Sequence, residues 1–103
     1  MTTESTLHPR HEFDDLLNSP TRLSILAALS RLDDVEFSVL RDSLEVSDSV
    51  LSKQATSLEA AGYVRVRKGH VGKRPRTWLS MTAEGRVALH RHVAALQAVL
   101  GEE

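Results

Sequence analysis

The chain has no cysteine among its 103 residues, which excludes disulfides, thiolate metal sites, cysteine nucleophiles and cysteine redox switches together. Aromatic residues make up only 4% and include a single tryptophan, Trp78, so there is no platform on which successive unpaired bases could stack. No apolar run approaches the ~18 to 20 residues that a membrane-spanning helix needs. The N-terminal stretch, with Glu4, Glu12, Asp14 and Asp15, lacks the basic-then-apolar layout of a secretory signal, and a cytoplasmic protein is expected. A chain of this length should form one domain with one modest core, hardly a core plus a deep cofactor cleft. No cofactor is expected.

A further absence is local. From Ala60 to Ala83 there is no Asp or Glu. Inside this gap lies RVRKGHVGKRPR, residues 65–76, which holds Arg65, Arg67, Lys68, Lys73, Arg74 and Arg76, six of the 13 Lys and Arg residues of the chain. The other seven basic side chains are set against 14 acidic ones, so the net charge of -1 conceals a dipole. Such a pattern attracts a polyanion locally while giving little general stickiness.

Residues 1–11, MTTESTLHPRH, are polar, contain a proline and show no hydrophobic period, which reads as a mobile arm ahead of a domain at 12–101. Phe13, Leu16 and Leu17 mark a short helical turn. Ser19-Pro20 is a helix start: a capping hydroxyl, then proline at the first helical position, where its missing N–H is no loss. Leu23, Ile25, Leu26, Ala27, Ala28 and Leu29 leave almost no polar face, so the helix to about Ser30 should be the buried central one. Val35-Glu36-Phe37 alternates like a short strand, and Ser38 is placed to cap a helix through Leu44. In EVSDSVLSKQATSLEAAG, residues 45–62, Ser47 or Asp48 can cap a helix in which Leu51, Ala55 and Leu58 share one face, and Gly62 supplies a left-handed stop. The opposite face carries Ser49, Ser52, Lys53 and Thr56.

Two short helices joined by a tight turn, the second with an apolar back and a front of small hydroxyls, have the layout of a helix-turn-helix. A major groove ~12 Å wide admits a helix only if the facing side chains are short enough for its axis to approach. Serine and threonine hydroxyls can meet phosphates or base edges, and Lys53 can reach guanine or the backbone. Taken alone, the same face also fits a solvated surface helix. Tyr63 to Lys68 and Thr77 to Met81 then alternate, which predicts two strands flanking a loop at 69–75, with the basic residues on the outer face and tip of a hairpin. A hairpin beside a helix-turn-helix is a wing. The expected fold is mainly α with a small β-hairpin wing, an α+β winged helix-turn-helix. The last helix, Thr82 to Leu100, carries Leu89, Val93, Leu96 and Leu100 in a narrow seam that should face another helix, either in a second copy or beside Leu16 and Leu17 of its own domain.

SPTRLSILAAL, FSVLRDSLEVSDSVLSKQATSLEAAGYV, the basic GKRPRTWLSMT and the TAEG that opens the last helix together resemble the winged helix-turn-helix transcriptional regulators of the MarR-like and ArsR-like superfamily, in particular its short members. The resemblance covers 13–100. It implies a homodimer without enzymatic activity that reads a pseudo-palindromic site in double-stranded DNA, the helix at 47–61 in the major groove and the wing at 68–76 on the adjacent minor groove or its phosphates. Carried onto this chain, the recognition helix would use Ser47, Asp48, Ser49, Ser52, Lys53, Gln54 and Thr56. The wing would use Arg65, Arg67, Lys68, His70, Lys73, Arg74 and Arg76. The dimer surface would draw on Phe13, Leu16, Leu17, Leu89, Val93, Leu96 and Leu100. Repression by occluding a promoter is implied by the resemblance alone. The chain departs from longer relatives in lacking the long helices of a ligand pocket, and from the metal sensors in lacking cysteines.

Other chemistries have less footing. His90 and His92 are about 200° apart around a helix, and His8 and His11 sit in the polar arm, so a metal site would have to join the arm to the last helix across subunits; none is expected. GHVGKRPR lacks the GxxxxGK[ST] spacing of a phosphate cradle, and no Ser-His-Asp arrangement is legible. Trp78 fits packing of the hairpin onto the domain better than stacking on single-stranded nucleic acid. The strongest rival is a winged helix used for protein contacts, its basic wing docked on an acidic partner.

Overall fold

In the computed structural model, which describes residues 7–101, four helices and three strands follow in the order α1 (Pro20–Ser30), β1 (Val35–Glu36), α2 (Phe37–Leu44), α3 (Asp48–Ala60), β2 (Val64–Val71), β3 (Arg74–Met81) and α4 (Ala83–Val99). α1 starts as its sequence dictates: Ser19 Oγ accepts the Arg22 N–H at 3.3 Å and Pro20 takes the first helical position. With Ile25, Leu26, Ala28 and Leu29 buried, α1 runs through the middle of the domain and touches α2, α3, α4 and β3. Leu17, Leu40, Leu51, Leu58 and Leu79 close around it, each buried leucine contributing ~1.5–3 kcal/mol over its exposed state.

α2 has no side-chain cap. Glu36 holds the cap position, and Ser38, the expected cap, lies inside the first turn with its Oγ donating to Glu36 Oε1 at 3.0 Å. The chain turns sharply into α3 because Glu45 adopts a left-handed conformation (φ 58°), which brings the Glu45 and Val46 N–H groups to the Asp42 and Arg41 carbonyls. α3 is capped by Ser47, whose Oγ accepts the Val50 N–H at 3.2 Å. It stops at Gly62 (φ 83°), where the Gly62 N–H donates to the Glu59 carbonyl and the Tyr63 N–H to the Leu58 carbonyl, both at 2.9 Å.

The strands form an antiparallel sheet in the order β1-β3-β2. β1 adds only Val35 and Glu36, opposite Leu79 and Trp78, whereas β2 and β3 pair from Val64 with Met81 to Val71 with Arg74. The loop expected at 69–75 is therefore mostly strand, and the turn is Gly72-Lys73 alone, with Gly72 at φ 63°. His70, Val71, Arg74 and Pro75 are all exposed or nearly so along this ribbon; a ribbon that buries neither face leaves no apolar period to read.

The arm expected at 1–11 is also corrected in part. Residues 1–6 lie outside the described residues, while Pro9–Glu12 form a 3-10 turn packed on α4. Asp14 fastens the segment that leads into α1. Its N–H donates to His92 Nδ1 at 3.0 Å, its Oδ1 accepts the Leu16 N–H at 2.9 Å, and its Oδ2 accepts the Tyr63 hydroxyl at 2.6 Å. That last bond, together with partial burial, holds the Tyr63 phenol above its usual pKa. Among the described residues no helix is long and apolar enough to cross a membrane.

β3 leads straight into α4 at Thr82, whose Oγ1 accepts the Gly85 N–H at 2.9 Å and donates to the Gly62 carbonyl at 2.6 Å, while its N–H donates to the Tyr63 carbonyl at 3.1 Å. A Cβ at Gly85 would fall far inside contact distance of the Tyr63 carbonyl oxygen, which accounts for the glycine of TAEG. Gly85→Ala is therefore expected to destabilise the domain by ~1–3 kcal/mol, although alanine is the better helix former by ~1 kcal/mol. Urea melts in which the variant matches or exceeds the parent would disprove the close approach.

Candidate nucleic-acid interface

α3 turns Leu51, Ala55 and Leu58 into the core, which leaves Ser49, Ser52, Lys53 and Thr56 on the other side, as their spacing requires. Ser47 Oγ is engaged with the Val50 N–H and lies 3.2 Å from Ser49 Oγ. Thr56 Oγ1 donates to the Ser52 carbonyl at 2.9 Å, so its hydroxyl keeps acceptor capacity only.

Two residues assigned to this face from sequence are engaged elsewhere. Asp48 is ion-paired with Arg41 at 2.8 Å, and Arg41 also reaches Asp42 at 2.9 Å. Asp42 first and then Asp48 raise the pKa of the guanidinium, and the pairing offsets the carboxylate in the first turn of α3. Gln54 is half-buried: its Oε1 accepts from Arg22 at 2.7 Å while Arg22 Nε donates to the Leu16 carbonyl, so Gln54 braces α3 against α1. Gln54 lies three residues after Leu51 and four before Leu58, which already places it on the buried stripe. Arg22 and Arg41 carry no local motif and were missed.

The register of the hairpin sorts its cations by face, because successive side chains alternate. Val66 and Lys68, with Thr77 across the ladder, turn toward α3. Arg65, Arg67, Trp78, Arg76 and Arg74 occupy the opposite face. Between α3 and the hairpin lies a groove of about 350 Å³ lined by Ser52, Thr56, Glu59, Lys68 and Thr77. His70, Lys73 and Arg74 lie toward the tip. On the far face Arg67 pairs with Asp34 at 2.7 Å, and its guanidinium carbon lies 4.4 Å from the centre of the Trp78 ring. Arg76 pairs with Glu36 at 2.6 Å. The expectation that the cations share the outer face and tip holds except at Lys68, which faces the groove, and two of the outer-face cations, Arg67 and Arg76, are already matched by carboxylates. Among the described residues Lys53, Arg65, Lys68, Lys73 and Arg74 enter none of the ion pairs.

The residues expected at a subunit contact also divide. Leu17 is fully buried in the chain's own core, and Leu89 is buried there too while its edge lines a groove on the surface. Leu16 is partly exposed, and Phe13 is half-buried, its ring centre 5.4 Å from that of buried His92. Val93 and Leu100 are 37% and 71% exposed, and Leu96 is half-buried. α4 outruns the body: Gly85, Leu89, His92 and Ala95 are buried, and no described residue beyond Ala95 is. Beside it an apolar groove of about 430 Å³ runs between α1 and α4, lined by Leu23, Ala27, Leu89, Val93 and Ala94. Among the described residues no three His, Cys, Asp or Glu side chains stand together as a metal site would require.

Residues 21–100 match the winged helix DNA-binding domain family. An uncharacterised protein of Methanocaldococcus jannaschii is 33% identical over 78 residues, covering 76% of this chain and 85% of its own. Among solved structures, a transcriptional regulator homologue from Pyrococcus horikoshii superposes with a TM-score of 0.78 at 29% identity, covering 84% of this chain and 85% of that one. A MarR-family transcriptional regulator from Silicibacter pomeroyi gives 0.66 at 27% identity over 90% of this chain and 62% of that longer one. The M. tuberculosis transcriptional regulator MosR, solved in complex with DNA, shares the fold at a TM-score of 0.70 and 24% identity, over 90% of this chain and 66% of that one. The chain belongs to the winged helix DNA-binding domain family, and its fold is that of MarR-type transcriptional regulators rather than of enzymes.

Proposed function

We propose that this regulator is a sequence-specific repressor that binds duplex DNA as a homodimer, with α3 in the major groove and the hairpin on the adjacent minor groove or its phosphates. The observation that carries the reading is the groove itself: Ser52, Thr56 and Glu59 of α3 line one side, with Lys53 exposed on the same helix, and Lys68 lines the other, with Lys73 and Arg74 farther out at the tip. A helix front this low can approach base edges, while cations beyond it meet the flanking backbone. Repression by occupancy asks nothing of the chain beyond binding, and is the regulatory sense proposed. Dimerisation is supported by exposed Val93, by Leu96 and Leu100 on the part of α4 that outruns the body, and by the modest core of so small a domain.

Selection of bound duplexes from a random pool should return an inverted repeat; binding with no sequence preference would favour the rival in which the wing docks on an acidic protein. Lys53→Ala should cost ~1–3 kcal/mol on the selected site and relax the base preference beside it, whereas Lys73→Ala with Arg74→Ala should weaken all duplexes more evenly.

Light scattering tests the assembly. Leu96→Glu should yield monomers, because a carboxylate in an apolar contact must lose hydration or break it; a parent already monomeric at micromolar concentration would refute the dimer. Salt tests the phosphate contacts. With roughly three or four phosphates neutralised per subunit, affinity should fall as about the sixth power of salt concentration, a loss of roughly 10³ to 10⁴ between about 50 and 200 mM. A slope near zero would remove phosphate as the reason for the basic segment.

A further inference from the structure

We propose that the far face of the hairpin is a clamp: Asp34, Glu36, Arg67, Arg76 and Trp78 set the direction in which the wing leaves the body, and Arg67 and Arg76 are positioning residues that act through Lys68, Lys73 and Arg74 instead of touching phosphate. The proposal rests on the DNA-binding reading of the wing.

Its first support is position. β1 is two residues long, so the sheet is three strands wide only at its base, and the last three-stranded row is Glu36, Trp78 and Arg67. Beyond that row β2 and β3 continue as a two-stranded ribbon with no third neighbour, the arrangement most free to twist and swing. The clamp sits where the ribbon begins. Each strand is tied separately, Arg67 of β2 to Asp34 in the turn before β1 and Arg76 of β3 to Glu36 in β1. Glu36 is itself held, its second oxygen accepting from Ser38.

Packing provides the second support. Arg67 lies over one part of the Trp78 ring, and Gly69, two residues further along the same face, leaves room for another: a Cβ there would come within 3.2 Å of a ring carbon. The tryptophan is thus laid flat against the ribbon by a guanidinium and a missing side chain. Charge is the third. Two arginines matched by two carboxylates add nothing net to the attraction for a polyanion, and they lie on the face away from the groove that α3 and Lys68 share.

Asp34→Asn separates the possibilities by sign. If Arg67 were a phosphate contact restrained by Asp34, removing the carboxylate would raise DNA affinity. The clamp predicts a loss of about fivefold on an operator engaging two wings, the scale of half-exposed ion pairs and a cation–π contact, with the salt slope unchanged. Arg67→Gln should behave alike; a slope lowered by about one per subunit would make Arg67 a phosphate contact and overturn the proposal. Backbone amide exchange gives a readout without DNA. Residues 68–74 should exchange about fivefold faster in Asp34→Asn while the core amides keep their protection, and unchanged exchange at the tip overturns the clamp whatever the DNA result. Should the parent bind no duplex, the DNA reading fails and exchange alone decides the clamp.

Discussion

The approach of the Tyr63 carbonyl to Gly85 organises the molecule. Tyr63 is where four elements meet: its N–H closes the end of α3, its carbonyl receives Thr82 at the start of α4, its position opens β2, and its hydroxyl is held by Asp14 ahead of α1. Thr82 completes the joint from the other strand by bonding the Gly62 carbonyl and capping α4 with the same oxygen. α3, both ends of the hairpin and the long last helix are thereby referred to one small piece of backbone. Such a joint transmits orientation well because little of it is a flexible side chain.

Charge is distributed with comparable economy. A count along the chain sets a strongly basic hairpin against an acidic remainder, yet the acidic remainder supplies partners to part of that hairpin through Asp34 and Glu36. The first-turn carboxylate of α3 is likewise matched by Arg41. Of the hairpin's six cations, Arg65 near the base, Lys68 on the groove side, and Lys73 and Arg74 at the tip enter none of these ion pairs among the described residues, and neither does Lys53 on the helix. The hairpin's excess is therefore smaller than its composition implies. For binding a polyanion in one pose, aim matters more than total, because every surplus cation elsewhere also favours poses out of register.

The parts of this arrangement that were legible in the sequence are those in which a residue serves its near neighbours. Ser19 with Pro20, Ser47, Gly62 and Thr82 each satisfy backbone groups within a few positions, so element ends could be placed from local chemistry alone. The polar front of α3 followed from its apolar back. Contacts between distant positions left no such trace: Arg67 and Asp34 are 33 residues apart, Arg22 and Gln54 32, Asp14 and His92 78. A charge count treats each of those side chains as unattached. The seam of α4 divides for a related reason. Its period is genuine, but Leu89 lies over the core while Leu96 and Leu100 lie past its edge, and periodicity records a face without recording where along it the body ends.

α4 is 17 residues long and is anchored at its first turn, so it extends about 21 Å from the Gly85 joint. It is a lever whose pivot is backbone against backbone. A tilt of about 5° there carries the far end through about 2 Å over that length, and the same tilt must be taken up by the Tyr63 carbonyl, hence by the end of α3 and the root of the hairpin. Anything that grips the last two turns of α4 therefore holds the long arm of a device whose short arm carries the groove-facing elements, and modest displacement at the one becomes fine angular adjustment at the other.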